Sequence, residues 1–296
     1  MNKITAIGEI IFDVYPQEKK IGGAPLNFIY HINKLTDNGI LISRVGKDNA
    51  GQEAISFLQK NRIPVKFVQI DNEYGTGSAF ANLDENKIPH WEIPTDQAYD
   101  FINIPPEAGQ IIEETSCFYF GSLAQRMERS RATIQSFFEK KDIKYFLDLN
   151  IRQDYYSKHI IDASLSAANI LKVNEDELRL LHNLFFIGKF NIKECAVSIM
   201  ESFSIEFLAV TMGANGAYLF SKENFDYYNN STIKISDTVG AGDAYSAILA
   251  IGYLKCWDIS KINKLASQFA GEIIGIPGAL PTDDYIYERF RKYIRD

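Results

Sequence analysis

Buried strand-like segments alternate with amphipathic helix-like segments along most of this chain, and that rhythm constrains its fold more than any other feature. ITAIGEIIF reads as a buried first strand, and PLNFIYHINKL as a helix with Phe28, Ile32 and Leu35 on one apolar face. GILISRVG follows as a strand and AGQEAISFLQKN as a helix. After Ala108 the strands CFYFGS, YFLDLN, ANILKVN and EFLAVTMG are separated by helical patterns such as RSRATIQSFFEKK and NEDELRLLHNLFF. Such alternation predicts an α/β fold, a mostly parallel sheet flanked by helices. Asn215-Gly216, between VTMG and AYLF, predicts a hairpin turn. The end reads as three helices, DAYSAILAIGYLK, ISKINKLASQFAGEII and DDYIYERFRKYI.

The rhythm breaks once. From about Val65 to Phe101 only short β-like pieces occur, VKFVQI, TGSAFANL and PHWEI, with turns near Asp71 to Thr76 and Asp84 to Lys87. This predicts a small β-sheet lid over residues 65–101, joined by residues 14–20; the alternative is an antiparallel edge of the main sheet. No linker or repeat interrupts the rest, so residues 1–296 read as one domain carrying an insert. The net charge of -7, with no long basic block, argues against nucleic acid or an acidic membrane as partner. Cys117, Cys195 and Cys256 are odd in number and far apart, which fits a reducing compartment. Glu9 and Asp13 interrupt the first apolar stretch, and SAILAIGYL is too short to span a bilayer, so a cytoplasmic location is expected.

DTVGAGDAYSA, Asp237 to Ala247, carries the chemistry. Gly240, Ala241 and Gly242 bare the backbone at a helix start, a place for an anion, yet Asp243 is itself an anion. An ordinary helix start with an acid in its first turn would look the same. A dinucleotide fingerprint fits less well, because Tyr245 stands where a third glycine belongs, and no GxxxxGK[ST] occurs. A phosphoryl-transfer site has a use for the acid: it can orient an acceptor hydroxyl and take its proton. Such a site needs partners. IGGAPLN is a glycine pair opening a helix, with Asn27 after it. GEIIFDV places Asp13 at the end of the first strand. LDLNIR and VNEDE end two further strands with Asp148, Asn150 and Arg152, and with Asn174 and Glu177. Each has a plain alternative as a turn or a helix cap.

The ordered set GGAPLN, VGKDNAGQEAISFLQKN, GTGSAFANLDENKIPHWEI, LDLNIR, KVNEDEL, TMGANGAYLF, DTVGAGDAYSA and GIPGALPT resembles the ribokinase-like carbohydrate kinases, most closely their fructokinase branch. The resemblance implies that Asp243 is the catalytic base and that Gly240, Ala241, Gly242 and Asp243 form an anion hole. It places Arg152 near the acceptor or the transferring phosphoryl group. It assigns Asp13, Gly23 and Asn27 to sugar hydroxyls, and Thr211, Gly213 and Gly216 to the nucleotide's surroundings. Asn174 and Glu177 match an NxxE element that organises Mg²⁺ through water. In some relatives the residue at Asp237 helps build a monovalent-cation site, so K⁺ is a further expected cation.

The resemblance thus implies an ATP-dependent, Mg²⁺-requiring sugar kinase, with fructose to fructose 6-phosphate leading. 2-Keto-3-deoxygluconate, another ketose or a nucleoside is the alternative acceptor, and a catalytically idle sugar or nucleotide sensor is the rival from another class. Phe28 and Ile29 depart from the family's small residues after the asparagine, and IPTDQAYD lacks an arginine often found before its end. Tyr245 and Ile248 stand where phenylalanine and glycine are usual. His31, His90, His159 and His182 show no ligand spacing. The lid is a candidate homodimer contact.

Overall fold

The computed structural model describes residues 3–83, 89–140, 142–229, 240–274 and 279–295. Among these, nine strands form one large sheet. Its spatial order is Phe225–Tyr228, Ala217–Ser221, Phe207–Thr211, Ile170–Asn174, Lys144–Asp148, Thr115–Gly121, Lys3–Ile7, Gly39–Gly46 and Val68–Asp71. The last seven run parallel. The first two add on antiparallel, through the hairpin that Asn215-Gly216 announces.

Strand periodicity sends alternate residues to opposite faces, and each face has its own core. Ile4, Ala6, Cys117, Tyr119, Phe146 and Ile170 pack on the side of the helices Ala24–Thr36, Ala241–Leu254, Ile259–Ile274 and Tyr285–Arg295. Ile7, Phe118, Phe120, Leu147, Leu171 and Val173 pack under Glu128–Gln135, Lys158–Ala167, Glu175–Phe185 and Ile192–Phe203. The Ala241–Leu254 helix is apolar all round because it lies against both the Ala24–Thr36 and Ile259–Ile274 helices.

The small sheet exists and is separate, but it is assembled differently from the sequence expectation. Its order is Lys19–Gly22, Ile11–Val14, Gly77–Leu83, Pro89–Glu92. VKFVQI does not belong to it: Val68–Asp71 pairs in parallel with Gly39–Gly46 and forms the edge of the large sheet. Residues 14–20 do more than join it, since Ile11–Val14 and Lys19–Gly22 supply two of its strands. ITAIGEIIF is accordingly not one strand. Gly8, at φ +149, ends the stretch in the large sheet, and a Cβ there would lie 2.6 Å from Cγ of Pro25. Asp13 therefore sits on the small sheet and not at the end of the first strand of the large one. Among the described residues no helix is long and apolar enough to cross a membrane.

Candidate active site

The strand ends Asp148, Asn174 and Thr211 lie along one edge of the parallel sheet, the edge at which open α/β sheets bind ligands. The first turn of the Ala241–Leu254 helix meets that edge. Its entry requires glycine: Gly240 has φ +81, and a Cβ there would lie 2.4 Å from the Ala279 Cβ. Gly240 offers no capping side chain, so the first amides of the helix keep no intrahelical acceptor. At Gly242 a Cβ would come within 2.7 Å of the Lys172 ammonium nitrogen. Uncapped backbone amides, of the kind that can cradle an anion, thus stand beside a buried cation.

Asp243 follows in the same turn, 9% exposed. Its Oδ2 accepts a hydrogen bond from Nδ2 of Asn27 at 2.8 Å. Asn27 lies in the first turn of the Ala24–Thr36 helix, so this one contact joins the two glycine-opened helices. Gly23, at φ +108, enters that helix where a Cβ would collide with the Glu9 carbonyl oxygen at 2.5 Å. The Glu9 carboxylate takes the place of the missing cap by accepting from the Ala24 amide at 3.2 Å. Asn27 Oδ1 is buried and finds no hydrogen-bond partner among the described residues, an orphaned acceptor of the kind a hydroxyl would satisfy. A Cβ at Gly22 would lie 3.5 Å from Asp13 Oδ2 and 3.9 Å from Asn27 Oδ1, so both oxygens border the same bare backbone.

Beneath the cradle is a polar cluster at inward positions of two neighbouring strands. Lys172 and Asp148 stand opposite each other in register, and the Lys172 ammonium donates to both Asp148 oxygens at 2.9 and 3.1 Å. Tyr119 and Ser246 hydroxyls each donate to Asp148 Oδ2 at 3.0 Å. With Asp148 fully buried, this is a satisfied network rather than a stray charge. Burial opposes the charge on Lys172, but Asp148, Glu177 and Asp243 outweigh it and hold its pKa above the ordinary lysine value. Burial, reinforced by Asp148, pushes the Asp243 carboxyl from 3.8 up to about 7, against the pull of Lys172, Asn27 and Arg152. Glu9 is likewise raised by burial to about 7, although amide hydrogen bonds and Arg152 pull it down.

On the neighbouring strand end, Asn174 and Glu177 form a reciprocal capping box at 2.8 Å each way. The second Glu177 oxygen accepts from the Ile151 amide at 2.8 Å. Burial raises the Glu177 pKa, and Lys172 opposes it. Among the described residues no group of three or more His, Cys, Asp or Glu is disposed to enclose a metal. Thr211 pairs with Asn174 in the sheet and donates to the Val173 carbonyl at 3.4 Å. Gly213 and Gly216, both at positive φ, shape the turn that follows. Arg152 is exposed; its guanidinium donates to the Ile151 carbonyl at 3.1 Å and acts on Asp243 and Glu9 through its field. Asp237 lies outside the described residues.

The geometry thus gathers Asp243, the Gly240–Gly242 backbone, Asn27, Gly23 and Asp13, with Arg152 at the margin. Asn174 and Glu177 bond chiefly to each other and to the Arg152 loop. Lys172 and Glu9 are additions that no local motif announces. Two hollows on the surface, both lined by Asn103 and Ile104, lie away from this site.

The pattern of the pfkB family carbohydrate kinases matches residues 1–284. The chain belongs to this family. As a pfkB-family chain it is 28% identical over 288 residues to an uncharacterized sugar kinase of Pyrococcus horikoshii, covering 90% of this chain and 88% of that one. It is 26% identical over 266 residues to the fructokinase of Salmonella typhimurium, covering 83% and 82%. A crystal structure of the Pyrococcus kinase aligns with this pfkB fold at a TM-score of 0.84 and 27% identity, over 99% of this chain and 98% of that one. Its structure in complex with ATP aligns at 0.81, over 94% of each chain. Aminoimidazole riboside kinase from Salmonella enterica, at 21% identity, TM-score 0.81 and coverage of 99% and 100%, shares the fold.

Proposed function

We propose that this pfkB-family protein transfers the γ-phosphoryl group of ATP to a hydroxymethyl group of a ketose, with fructose to fructose 6-phosphate the leading reaction. The observation that carries this reading is the 2.8 Å contact between Asn27 and Asp243. It sets one carboxylate between a backbone anion cradle and a pair of hydrogen-bond acceptors, Asn27 Oδ1 and Asp13 Oδ2, suited to sugar hydroxyls.

In this reading Asp13, Asn27 and the Gly22-Gly23 backbone orient the acceptor so that one hydroxyl faces Asp243. Asp243 takes the proton as the hydroxyl oxygen bonds to the γ-phosphorus and the bond to the ADP oxygen breaks. The amides at Gly240 to Asp243 receive the charge on the transferring group, and Arg152 approaches it from the open side. Mg²⁺, brought on the nucleotide phosphates, would spread that charge, with Asn174 and Glu177 addressing it through water. A lone buried carboxylate whose oxygens already accept amides suits an ion that keeps its own waters. Thr211, Gly213 and Gly216 border the nucleotide, and the small sheet covers the acceptor as a lid.

The test is ADP release with ATP and a panel of fructose, other ketoses, 2-keto-3-deoxygluconate and nucleosides. Fructose should give the highest kcat/KM. Turnover confined to a nucleoside or a sugar acid would overturn the fructokinase assignment. No release with any acceptor would support the idle sensor.

A further inference from the structure

Arg152 stands in a segment whose backbone is held from both sides. Asn150 and Gln153 bracket it in left-handed conformations, at φ 44 and 48, a region that asparagine enters readily but glutamine seldom does. On the side of the sheet edge, the Ile151 amide is held by Glu177 Oε1 at 2.8 Å. On the other side the segment grips the chain as it leaves the small sheet. Gln153 Nε2 donates to the Trp91 carbonyl at 3.0 Å, and the Tyr155 hydroxyl donates to the Ile93 carbonyl at 2.7 Å. The same exit is clamped from the body by Arg126, which donates to the Pro94 carbonyl at 2.6 Å and forms a buried ion pair with Asp100. The Arg126 guanidinium lies over the Tyr155 ring, 4.6 Å from its centroid.

We propose that Gln153 and Tyr155 are positioning residues for phosphoryl transfer, which tie the small sheet's exit to the Arg152 segment so that the sheet's position sets where Arg152 stands. The small sheet carries Asp13, so a bound acceptor acts directly on it. A shift of the Trp91–Ile93 backbone is transmitted through two side-chain hydrogen bonds to residues one and three places from Arg152. Glu177 supplies the opposite anchor, so the segment has one fixed end and one end that follows the acceptor side. Arg152 already lowers the proton affinity of Asp243 from its exposed position, so its placement matters to the base as well as to the phosphoryl group. The proposal rests on the kinase reading above.

The test is a double-mutant cycle on kcat with the best acceptor. Q153M/Y155F adds no charge, nearly keeps the size of both side chains and keeps the ring under Arg126, but removes the two donors that the Arg152 segment offers to the lid carbonyls, leaving Ile93 only the 3.4 Å contact from Arg126. Misplacing a catalytic group by about 1 Å costs up to 10²-fold, so kcat should fall about 10-fold or more, with KM for ATP unchanged. Adding R152A to Q153M/Y155F should then lower kcat no further than R152A alone, because the tether acts through Arg152. A packing role predicts something else: a lowered Tm and a loss that multiplies with that of R152A. Multiplying losses, an unchanged kcat in Q153M/Y155F, or full activity in R152A would each overturn the proposal. If the wild type phosphorylates nothing on the panel, the kinase reading falls and takes this proposal with it. An active wild type with multiplying losses removes only the tether.

Discussion

Replacing Asp243 by asparagine sets two readings of one residue against each other with opposite signs. As an acid in the first turn of the Ala241–Leu254 helix, Asp243 would stabilise the helix dipole by about 0.3–1 kcal/mol, and at most ~2. Its burial works the other way. A pKa raised from 3.8 to about 7 corresponds to on the order of 4 kcal/mol of cost to the folded, ionised state. That cost is small near pH 4 and vanishes well below pH 3.8, where the group is protonated both folded and unfolded. It grows as pH rises toward 7 and is complete above it. The burial effect is the larger, so Asp243→Asn should be more stable than wild type at pH 8 and close to it near pH 4. At about 2 °C per kcal/mol for a chain of this size, the gain at pH 8 is several degrees in Tm. The hydrogen bond from Asn27 survives, because the asparagine Oδ1 can accept it. Turnover should fall by on the order of 10²–10⁴ through loss of the base, with ATP binding equal or tighter. The assays are thermal melts at pH 4 and pH 8 beside kcat from ADP release. A less stable variant at pH 8 with near-normal kcat would show that the carboxylate serves the helix and not the reaction.

Glu177→Ala removes a cap and strands two amides, so it should cost about 1–3 kcal/mol in a denaturant melt; on the proposed Mg²⁺ role it also raises the Mg²⁺ needed for half-maximal rate. Lys172→Met leaves Asp148 buried and unpaired, a loss of about 3–5 kcal/mol that Lys172→Met/Asp148→Asn should largely restore. Because Lys172 lowers and Asp148 raises the Asp243 pKa, the acid limb of kcat/KM, expected near pH 7, should move up in Lys172→Met and down in Asp148→Asn; a limb that stays in place assigns it to another group. Saturating sugar should slow amide exchange in residues 77–83 and 89–92, and unchanged exchange would count against a lid.

What the sequence discloses is what the chain writes locally. Gly240 and Gly23 were visible because a helix entry at positive φ beside close-packed neighbours accepts no other residue; Asn215-Gly216 marked the hairpin, although its turn runs over Met212 to Gly216 with Gly213 and Gly216 at positive φ. The buried parallel strands were legible as continuous apolar runs. Partition between the sheets was not. ITAIGEIIF is strand-like on both sides of Gly8-Glu9, and a glycine and one acid do not say that the chain changes sheet there; VKFVQI is as good an edge of one sheet as a strand of the other. The cluster under the cradle was hidden for another reason. Lys172 and Asp148 form a pair only because two strands 24 residues apart lie adjacent in one register. Each alone reads as a polar residue near a strand end. Glu9 is the same case: a break in an apolar stretch becomes a cap only when a helix that starts at Ala24 folds onto it.

A carboxylate on the lip of an anion cradle is paradoxical only if its charge is permanent. A surface aspartate, ionised from pH 4 upward, would repel a nucleotide's phosphates at every physiological pH and would be a weak base. For the base proposed here, burial answers both defects in one move, because desolvation raises the Asp243 pKa. Taken alone, that same burial would leave the acid protonated and useless. Lys172, fixed by Asp148 against the floor of the cradle, and Arg152, at its open side, pull in the opposite direction. Asp148 contributes to both sides of this balance, since it repels Asp243 directly while holding the cation that draws Asp243 down. A base whose pKa lies near neutral accepts a proton readily and gives it up again when the product leaves. On the kinase reading proposed above, the glycines, the buried ion pair and the aspartate form one device: bare backbone to receive the phosphoryl charge, and enough buried charge of each sign to keep the acid beside it poised.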